Sequence, residues 1–299
     1  MRRATLLAAA ALASVGPALG QSAPDVRLLD SAGFAAPRLT ESSGVAASNL
    51  ARGVYWSHND SGDTPALYAT DSAGTDLGFV RVVGAAALDW EDLSAGACLV
   101  APGRCLYVAD IGDNRSRRGQ VVIYRVPEPT PPLGPSDTLR TVSALDSLTL
   151  RYPDGPHDAE AFVVTDAGVA FIAAKDRFGP ALLFRTTLGP GSGTRALELV
   201  GALPLRASAL TGRLVTGAAA SPDGRLLVVR TYVSLHFFRM RGDSLPEPLG
   251  SPNGVPIPVV EPQGEGVTFD GADRLVLTSE RGLSTRGMIL RLLLVRRER

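Results

Sequence analysis

The segment ALDWEDLSAGACLVAPGRCLYVADIGDN, residues 87–114, carries more acid than a β-hairpin needs. Two runs in this segment alternate apolar and polar residues, which predicts β-strands. Five carboxylates flank these runs: Asp89, Glu91, Asp92, Asp110 and Asp113. Carboxylate oxygens gathered at one place can bind a hard cation, and one of them can act as a base if its pKa is raised. The question is which fold brings so many carboxylates together.

The elements that would position these side chains form a repeat. Short Val, Ile, Leu, Tyr and Phe runs bounded by Gly, Pro, Asp and Ser recur along the chain and indicate an all-β protein. They group into five units, which begin ESSGVAAS, DWEDLSAG, DAEAFVVTD, TGAAASPDG and GEGVTFDG. The fifth unit lacks one strand, and DVRLLDSAGF at 25–34 can supply it. We therefore predict a five-bladed β-propeller closed by an N-terminal strand. A six-bladed ring and a two-sheet sandwich are the alternatives.

In a propeller the first strand of each blade lines the central channel, and it begins at one end of the channel, here called the mouth. Four of the five units place a glutamate at this position: Glu41, Glu91, Glu160 and Glu265. The fourth unit has Thr216-Gly217-Ala218 instead. Like charges around one axis need a counter-charge. We expect these glutamates to bind Ca²⁺ or a similar hard divalent cation. The alternative is an ion-free network in which they bond main-chain amides or pair with Lys175, Arg230 and Arg281.

The second strand of each blade ends at the same mouth and adds candidate catalytic groups. These ends carry His58, Asp110, Lys175 and Arg230, and Asp89 precedes the first strand of its blade. Lys175 is the sole lysine in a chain that otherwise uses arginine, and its ammonium is a compact point charge. The candidate catalytic residues are therefore His58, Asp89, Asp110, Lys175 and Arg230.

Composition and the N-terminus constrain the setting of the protein. The 299 residues carry a formal net charge of +0, so overall charge indicates neither nucleic acid nor an anionic membrane surface as a partner. Residues 1–20 have a basic start, an apolar stretch and a small-residue ending, which predicts a signal peptide. We expect a secreted or periplasmic protein whose residues 21–299 form one propeller domain, monomeric and without a membrane span. In that setting Cys98 and Cys105 are predicted to form a disulfide, with two free buried thiols as the alternative.

Several of these motifs resemble a known group of proteins. The segments ESSGVAAS, VYWSHNDSGD, LDWEDL, ADIGDN, DAEAF, VVRTY and QGEGV are similar to those of secreted bacterial propeller proteins, related more distantly to the SdiA-regulated and esterase-like phytase groups. The resemblance covers nearly the whole chain after residue 20. It implies five blades and a central metal site like that of calcium apyrases, with Glu41, Glu91, Glu160 and Glu265 at the matching positions. The fourth unit departs from the pattern because it lacks the glutamate.

Three functions fit these observations. The first is a metal-dependent hydrolase of a phosphate ester or phosphoanhydride, in which the cation polarises a phosphoryl oxygen while Lys175 and Arg230 neutralise charge on a small anionic substrate. The second is a binding or scaffold propeller with a structural ion. The third is a glycoside hydrolase with two carboxylates at the mouth, for which the sugar-stacking aromatics are few: Trp56, Trp90 and Tyr232.

Overall fold

The computed structural model describes residues 22–134, 139–206 and 213–295. The signal peptide predicted at 1–20 lies outside these ranges. Within them the chain forms strands, turns and irregular connections but no helix. Accordingly, the described residues contain no helical segment with the length and hydropathy of a membrane span.

The strands form five mainly antiparallel sheets arranged as the predicted five-bladed propeller. The chain enters with β1 (Asp25–Gly33). Blade one contains β2 (Ser42–Ala47), β3 (Val54–Asn59), β4 (Ala66–Asp71) and β5 (Asp76–Val83). Blade two contains β6 (Trp90–Ala97), β7 (Arg104–Asp110), β8 (Val121–Pro127) and, after β9 (Arg140–Ser143), β10 (Asp146–Arg151).

The remaining three blades follow the same order. Blade three contains β11 (Ala159–Val164), β12 (Val169–Ala174), β13 (Leu182–Thr187) and, after β14 (Gly193–Ala196), β15 (Glu198–Ala202). Blade four contains β16 (Val215–Ala220), β17 (Leu226–Thr231), β18 (Ser234–Arg239) and β19 (Glu247–Leu249), and β20 (Val255–Pro256) also pairs with β18. Blade five contains β21 (Gln263–Phe269), β22 (Arg274–Glu280) and β23 (Met288–Val295).

The ring closes through the N-terminal strand, as predicted. Strand β1 pairs antiparallel with β23 from Asp25 opposite Val295 to Gly33 opposite Met288, and it forms the outer strand of blade five. Asp30 and Arg291 form an ion pair across this junction, with Nε of Arg291 2.9 Å from the carboxylate. The first and last strands of the described chain therefore share one sheet, and the β23 edge is covered.

Two outer strands were not predicted. Strand β9 pairs in parallel with β5 at the edge of blade one, and β14 pairs in parallel with β10 at the edge of blade two. Each comes from the connection inside the following blade, so it joins neighbouring blades and covers an otherwise open edge. Both are four residues long and mostly exposed, so they lack the apolar alternation from which the other strands were inferred.

The apolar core lies between the blades. Each of the five described core clusters contains residues from two adjacent blades; Trp56 and Trp90, for example, belong to the cluster between blades one and two. Both indoles are fully buried, and burial of a large apolar side chain contributes about 1.5–3 kcal/mol. This packing fixes the tilt of each blade and with it the direction of the inner strands.

The predicted disulfide is present. Cys98 and Cys105 are bonded, with their Cα atoms 4.9 Å apart, and the bond links the end of β6 to the start of β7. The alternative of two free thiols was wrong. The bond lies at the end of the blade opposite the mouth, so it takes no part in the acidic site.

Every inner strand carries a β-bulge where it begins. The pairing register shifts between Ser42 and Val45, Trp90 and Asp92, Ala159 and Ala161, Val215 and Gly217, and Gly264 and Val267. A bulge leaves one residue unpaired and turns its side chain away from the regular alternation. The bulged positions are Ser43, Glu91, Glu160, Thr216 and Glu265.

Candidate functional site

Two groups of carboxylates meet at the mouth. Asp60, Asp89 and Glu91 form the first group, and Glu91, Asp158 and Glu160 form the second; within each group the candidate ligand atoms lie within 4.8 Å of one another. Glu91 belongs to both groups and is 3% exposed. The site thus spans blades one, two and three, with Glu91 at its centre.

Local sequence explains the convergence. Asp89 and Asp158 each stand two residues before a bulged glutamate, in the matching segments DWE and DAE. The turn after β7 packs directly beneath the first group: a Cβ added to Gly112 would lie 2.0 Å from Oε1 of Glu91 and 2.5 Å from Cγ of Asp89. Only glycine leaves room for both carboxylates there.

The crowding raises the pKa values of these acids. Burial raises the pKa of Glu91 well above its ordinary value, and the negative charges of Glu160 and Asp60 add to the effect. Burial, followed by the charges of Asp60 and Asp158, raises the pKa of Asp89 to about 6. These groups cannot all be ionised at neutral pH without a compensating positive charge.

Lys175 and Arg118 both place positive charge near the acids; Arg118 lies 2.7 Å from Asp110 and acts against the rise in the pKa of Asp89. Nζ of Lys175 donates to Oε1 of Glu160 at 2.7 Å and to Oη of Tyr232 at 3.0 Å. Burial by itself lowers the pKa of Lys175. The electrostatic effects of Glu160, Tyr232 and Glu265 are larger in sum, so the pKa of Lys175 is raised. Burial raises the pKa of Glu160 to about 7, although Lys175 acts in the opposite direction. These cations therefore offset only part of the negative charge of the acids.

Glu265 brings a further carboxylate from blade five. Its Oε1 accepts a hydrogen bond from Nε2 of Gln263 at 3.0 Å, whereas its Oε2 is buried without a hydrogen-bond partner among the described residues. Oδ1 of Asp89 is also buried and unpartnered there. Each of these oxygens can still accept a hydrogen bond or bind a cation, and an unsatisfied buried acceptor is costly.

Of the four predicted metal ligands, only Glu91 and Glu160 belong to the carboxylate groups of the described chain; Glu265 lies outside them, and so does Glu41. Glu41 precedes β2 and is exposed. The bulges explain the offset: Glu41 corresponds in register to Asp89 and Asp158, and Ser43 takes the place of the glutamate in blade one. Glu41 still contributes charge, since the pKa of Glu280 rises to about 7 through burial and then through Asp60 and Glu41.

His58 is buried between blades rather than open to the mouth. It is fully inaccessible, its Nδ1 lies 2.9 Å from the carbonyl oxygen of Asn59, and its ring meets Trp90 edge-on at 5.5 Å between centroids. Burial lowers its pKa to about 4. The structure therefore places His58 as a neutral packing residue near the site.

Asp110 positions the chain that carries Asp89. Its carboxylate accepts hydrogen bonds from the amides of Leu88 and Asp89, both at 3.2 Å, and lies 2.7 Å from Nη2 of Arg118. Asp113, in the same DIGDN segment, donates its amide to Oδ1 of Asp158 at 2.9 Å. This acidic turn thus holds both carboxylate groups in place.

Arg230 joins blades four and five. Its Nη1 donates to the carbonyl oxygens of Gly266 at 2.6 Å and Thr278 at 2.9 Å, and its Nη2 pairs with Glu261. The guanidinium is fully buried. Of the two predicted cations, Lys175 lies among the carboxylates and Arg230 lies within the blade junction.

Asp92 was noted in the acidic segment but was not among the predicted site residues, yet it occupies the junction of three blades. Its carboxylate accepts hydrogen bonds from the amides of Leu93 at 2.8 Å, Phe162 at 2.8 Å and Ala218 at 3.1 Å. These residues stand two positions after the bulges of blades two, three and four. The sequence did contain a sign of this role. At the position after the bulged residue, blades one, three, four and five have Gly or Ala, and blade two has an aspartate.

The inner strands approach closely beside Asp92. A Cβ added to Gly44 would lie 2.5 Å from the amide nitrogen of Leu93, and one added to Gly217 would lie 2.8 Å from the carbonyl oxygen of Glu265. Hydroxyls complete the contacts between blades: Ser43 donates to the carbonyl of Glu91 at 2.7 Å. The bulged ring is therefore held by main-chain contacts and by one buried carboxylate.

Comparison with known proteins supports the fold. No family model and no curated protein sequence matches the chain. A solved structure described as the PQQ-bound form of aldose sugar dehydrogenase from Streptomyces coelicolor is similar at a TM-score of 0.51 and 12% identity, over 92% of this chain and 99% of that chain. A nidogen/laminin complex matches at a TM-score of 0.45 and 11% identity, over 87% of this chain and 83% of that chain. At this identity the sugar dehydrogenase match shows a shared β-propeller fold.

Proposed function

We propose that the mouth binds a hard divalent cation, Ca²⁺ or one of similar chemistry, between the two carboxylate groups. The observation that carries this proposal is Glu91, a buried carboxylate shared by two sets of oxygen ligands within 4.8 Å. Ca²⁺ takes 6–8 oxygen ligands, and the unpartnered Oδ1 of Asp89 in the first group is available. Histidine and cysteine ligands are absent from both groups, which disfavours softer metals.

We further propose that the protein is a hydrolase of a phosphate ester or phosphoanhydride. A cation at this position would polarise a phosphoryl oxygen and lower the pKa of a bound water. Lys175 is hydrogen-bonded to Glu160 within the second carboxylate group, so it is the group that we expect to contact a small anionic substrate. Asp60, Asp89 and Asp158 are partly exposed, so whichever of them does not bind the cation is able to accept a proton there.

The test combines metal analysis with activity. Residues 21–299 should be purified, stripped with chelator, and titrated with Ca²⁺, Mg²⁺ and Mn²⁺ by calorimetry. A panel of phosphomonoesters, phosphodiesters and nucleotides should then be assayed with each metal. We expect binding that Glu91→Gln abolishes, and metal-dependent turnover that Lys175→Met lowers without abolishing metal binding. Absence of metal binding would refute both proposals, whereas binding without turnover would refute the hydrolase alone.

A non-catalytic binding or scaffold propeller with a structural ion is the second candidate. It is favoured by the position of Glu91 and Glu160 on adjacent inner strands, because an ion between them would link blades two and three. In that case the metal should raise the melting temperature without turnover. The glycoside hydrolase hypothesis has less support, since two of its three candidate stacking aromatics, Trp56 and Trp90, are buried, which leaves Tyr232.

The setting in which the protein acts is also a proposal. The disulfide favours an oxidising compartment, and together with the predicted signal peptide it supports a secreted or periplasmic protein. A monomer with a small anionic ligand remains our expectation for its partners.

A further inference from the structure

Glu91 is shared by two carboxylate groups that reach it from neighbouring blades. The first group adds Asp60, from the β3–β4 connection of blade one, and Asp89, which precedes β6. The second group adds Asp158 and Glu160 from the start of blade three. Each group spans no more than 4.8 Å, and within the described chain the five carboxylates do not combine into a single group of that span. Glu91 therefore lies between two separate sets of oxygens.

The span of each group matches the coordination sphere of one ion. Oxygens that bind Ca²⁺ lie about 2.4 Å from it, so two oxygens on the same ion are at most about 4.8 Å apart. Asp60 and Asp89 satisfy this limit together with Glu91, and so do Asp158 and Glu160. The geometry thus defines two positions for a cation, and Glu91 is the ligand common to both.

The carboxylate of Glu91 is buried without a hydrogen-bond donor. Glu91 is 3% exposed, and Ser43 donates to its main-chain carbonyl oxygen, but no hydrogen bond from the described residues reaches its side chain. A buried carboxylate without a donor is costly unless a positive charge lies beside it. Its two oxygens allow it to bind one cation with each, which is what a position between two groups requires.

The charges of the two groups favour a pair of divalent cations. Five ionised carboxylates together with the ammonium of Lys175 leave four negative charges. Arg118 does not change this balance, because it pairs with Asp110, which belongs to neither group. One divalent cation would leave two negative charges in a mostly buried site, which is unfavourable, whereas two divalent cations balance all four.

Lys175 does not take the position between the groups. Its Nζ donates to Glu160 of blade three and to Oη of Tyr232 in blade four. Glu91 approaches Glu160 from blade two, on the other side of blade three. The ammonium therefore lies at the outer flank of the second group, and the space between Glu91 and its partners is left for a cation.

We propose that the mouth binds two hard divalent cations, one in each carboxylate group, with Glu91 bridging them. This inference rests on the proposed function, because it assumes that the mouth binds such cations, and it adds their number and their ligands. In two-metal sites the ions lie about 3.5–4 Å apart and hold the attacking and leaving oxygens of a displacement. A bridged pair suits a phosphate ester or phosphoanhydride, since the oxygens of one phosphoryl group can contact both ions.

The experiment counts bound Mn²⁺, a paramagnetic cation that prefers oxygen ligands. Residues 21–299 are stripped with chelator, loaded with Mn²⁺ and separated from unbound metal by gel filtration, and the metal content is measured by mass spectrometry. We expect two Mn²⁺ per chain. Electron paramagnetic resonance should show an exchange-coupled pair instead of isolated ions, because one carboxylate bridges the two.

Variants assign each ion to its group. Asp60→Asn should remove the ion of the first group and Asp158→Asn that of the second, so each variant should retain one Mn²⁺ per chain with the spectrum of an isolated ion. The matched control is Glu265→Gln. Glu265 is as buried as Glu91 and occupies the same bulged position of its blade, but it lies outside both groups, so this variant should keep two coupled ions.

The count for the unmodified chain decides the question even where a variant fails to fold. One Mn²⁺ per chain would overturn this inference and leave the single cation of the proposed function in place, whereas no bound Mn²⁺ would refute both. Two ions without coupling, or a count that neither Asp60→Asn nor Asp158→Asn lowers, would also overturn it, because the second ion would then bind elsewhere.

Discussion

At the scale of single residues, ionisation of the buried acids at the mouth lowers the stability of the folded protein. Each carboxylate with a raised pKa is more readily protonated in the folded than in the unfolded chain. The folded state is therefore penalised once pH rises above the ordinary pKa, and the penalty is complete above the folded pKa. For Glu280 this window runs from its ordinary value of 4.5 to about 7.

This predicts a pH dependence of the metal-free protein. Between about pH 5 and 7 its free energy of unfolding should decrease as these acids ionise, and Glu280→Gln should make that decrease smaller. Urea unfolding in chelator across the window measures both slopes. His58 acts in the opposite direction, because its lowered pKa of about 4 makes the protein lose stability as pH falls below 6.5. If Glu280→Gln leaves the slope unchanged, Glu280 does not titrate as described.

Some site residues could be identified from the sequence near them, whereas the roles of others depend on contacts with distant parts of the chain. Glu91 and Glu160 could be selected because each begins a first strand in a recognisable repeat. The role of Glu41 was harder to infer, since a two-residue offset in register is visible only once the bulges are known. His58 and Arg230 stand at strand ends like Lys175 does, and only the packing of neighbouring blades decides which of them is buried.

At the scale of elements, the bulged inner strands determine how the site is built. A bulge frees main-chain amides, and Asp92 accepts hydrogen bonds from three of them in blades two, three and four. Buried amides without a partner are costly, at about 1–3 kcal/mol each. One carboxylate therefore stabilises the junction from which Glu91 and Glu160 project.

Asp92→Ala should consequently be strongly destabilising. With three amides left unpaired we expect a loss of about 3 kcal/mol or more, whereas Asp92→Asn keeps one acceptor oxygen and should lose less. Equilibrium urea unfolding gives both values. A cost below that of an ordinary surface substitution, about 0.5 kcal/mol, would show that Asp92 does not hold the junction.

The strands themselves were largely predictable, and the exceptions have a physical cause. Strands such as β7 and β12 are runs of buried Val, Ile, Leu and Ala residues that carry a clear signal. Strands β9 and β14 are short and polar, and they form because the edge of a preceding blade offers unpaired main-chain groups. When a strand forms because a distant segment offers main-chain hydrogen bonds, its own sequence need not show apolar alternation.

At the scale of the whole molecule, ring closure couples the two ends of the chain. Because β1 completes the sheet of β23, removal of residues 21–34 should expose a long apolar edge. We expect the truncated protein to aggregate and to lose its cooperative thermal transition. Light scattering and calorimetry, compared with residues 21–299, check this, and an equally soluble and heat-stable truncation would contradict the proposed role of β1.

The cation site is the central claim, and it is a property of the assembled ring, since its ligands come from different blades. A ligand that binds only the folded state raises stability by mass action, by about 2.7 kcal/mol at a concentration 100 times its Kd. The control is Asp223→Asn, in the turn between β16 and β17, where Asp223 bonds Ser221 and the amide of Arg225.

The decisive measurement is the melting temperature of metal-free protein with and without Ca²⁺, for the unmodified chain, Glu91→Gln and Asp223→Asn. The account predicts a clear rise for the unmodified chain and for Asp223→Asn, and little or no rise for Glu91→Gln. No calcium-dependent rise in the unmodified chain, or an equal rise in all three proteins, would show that the carboxylates at the mouth form an ion-free network.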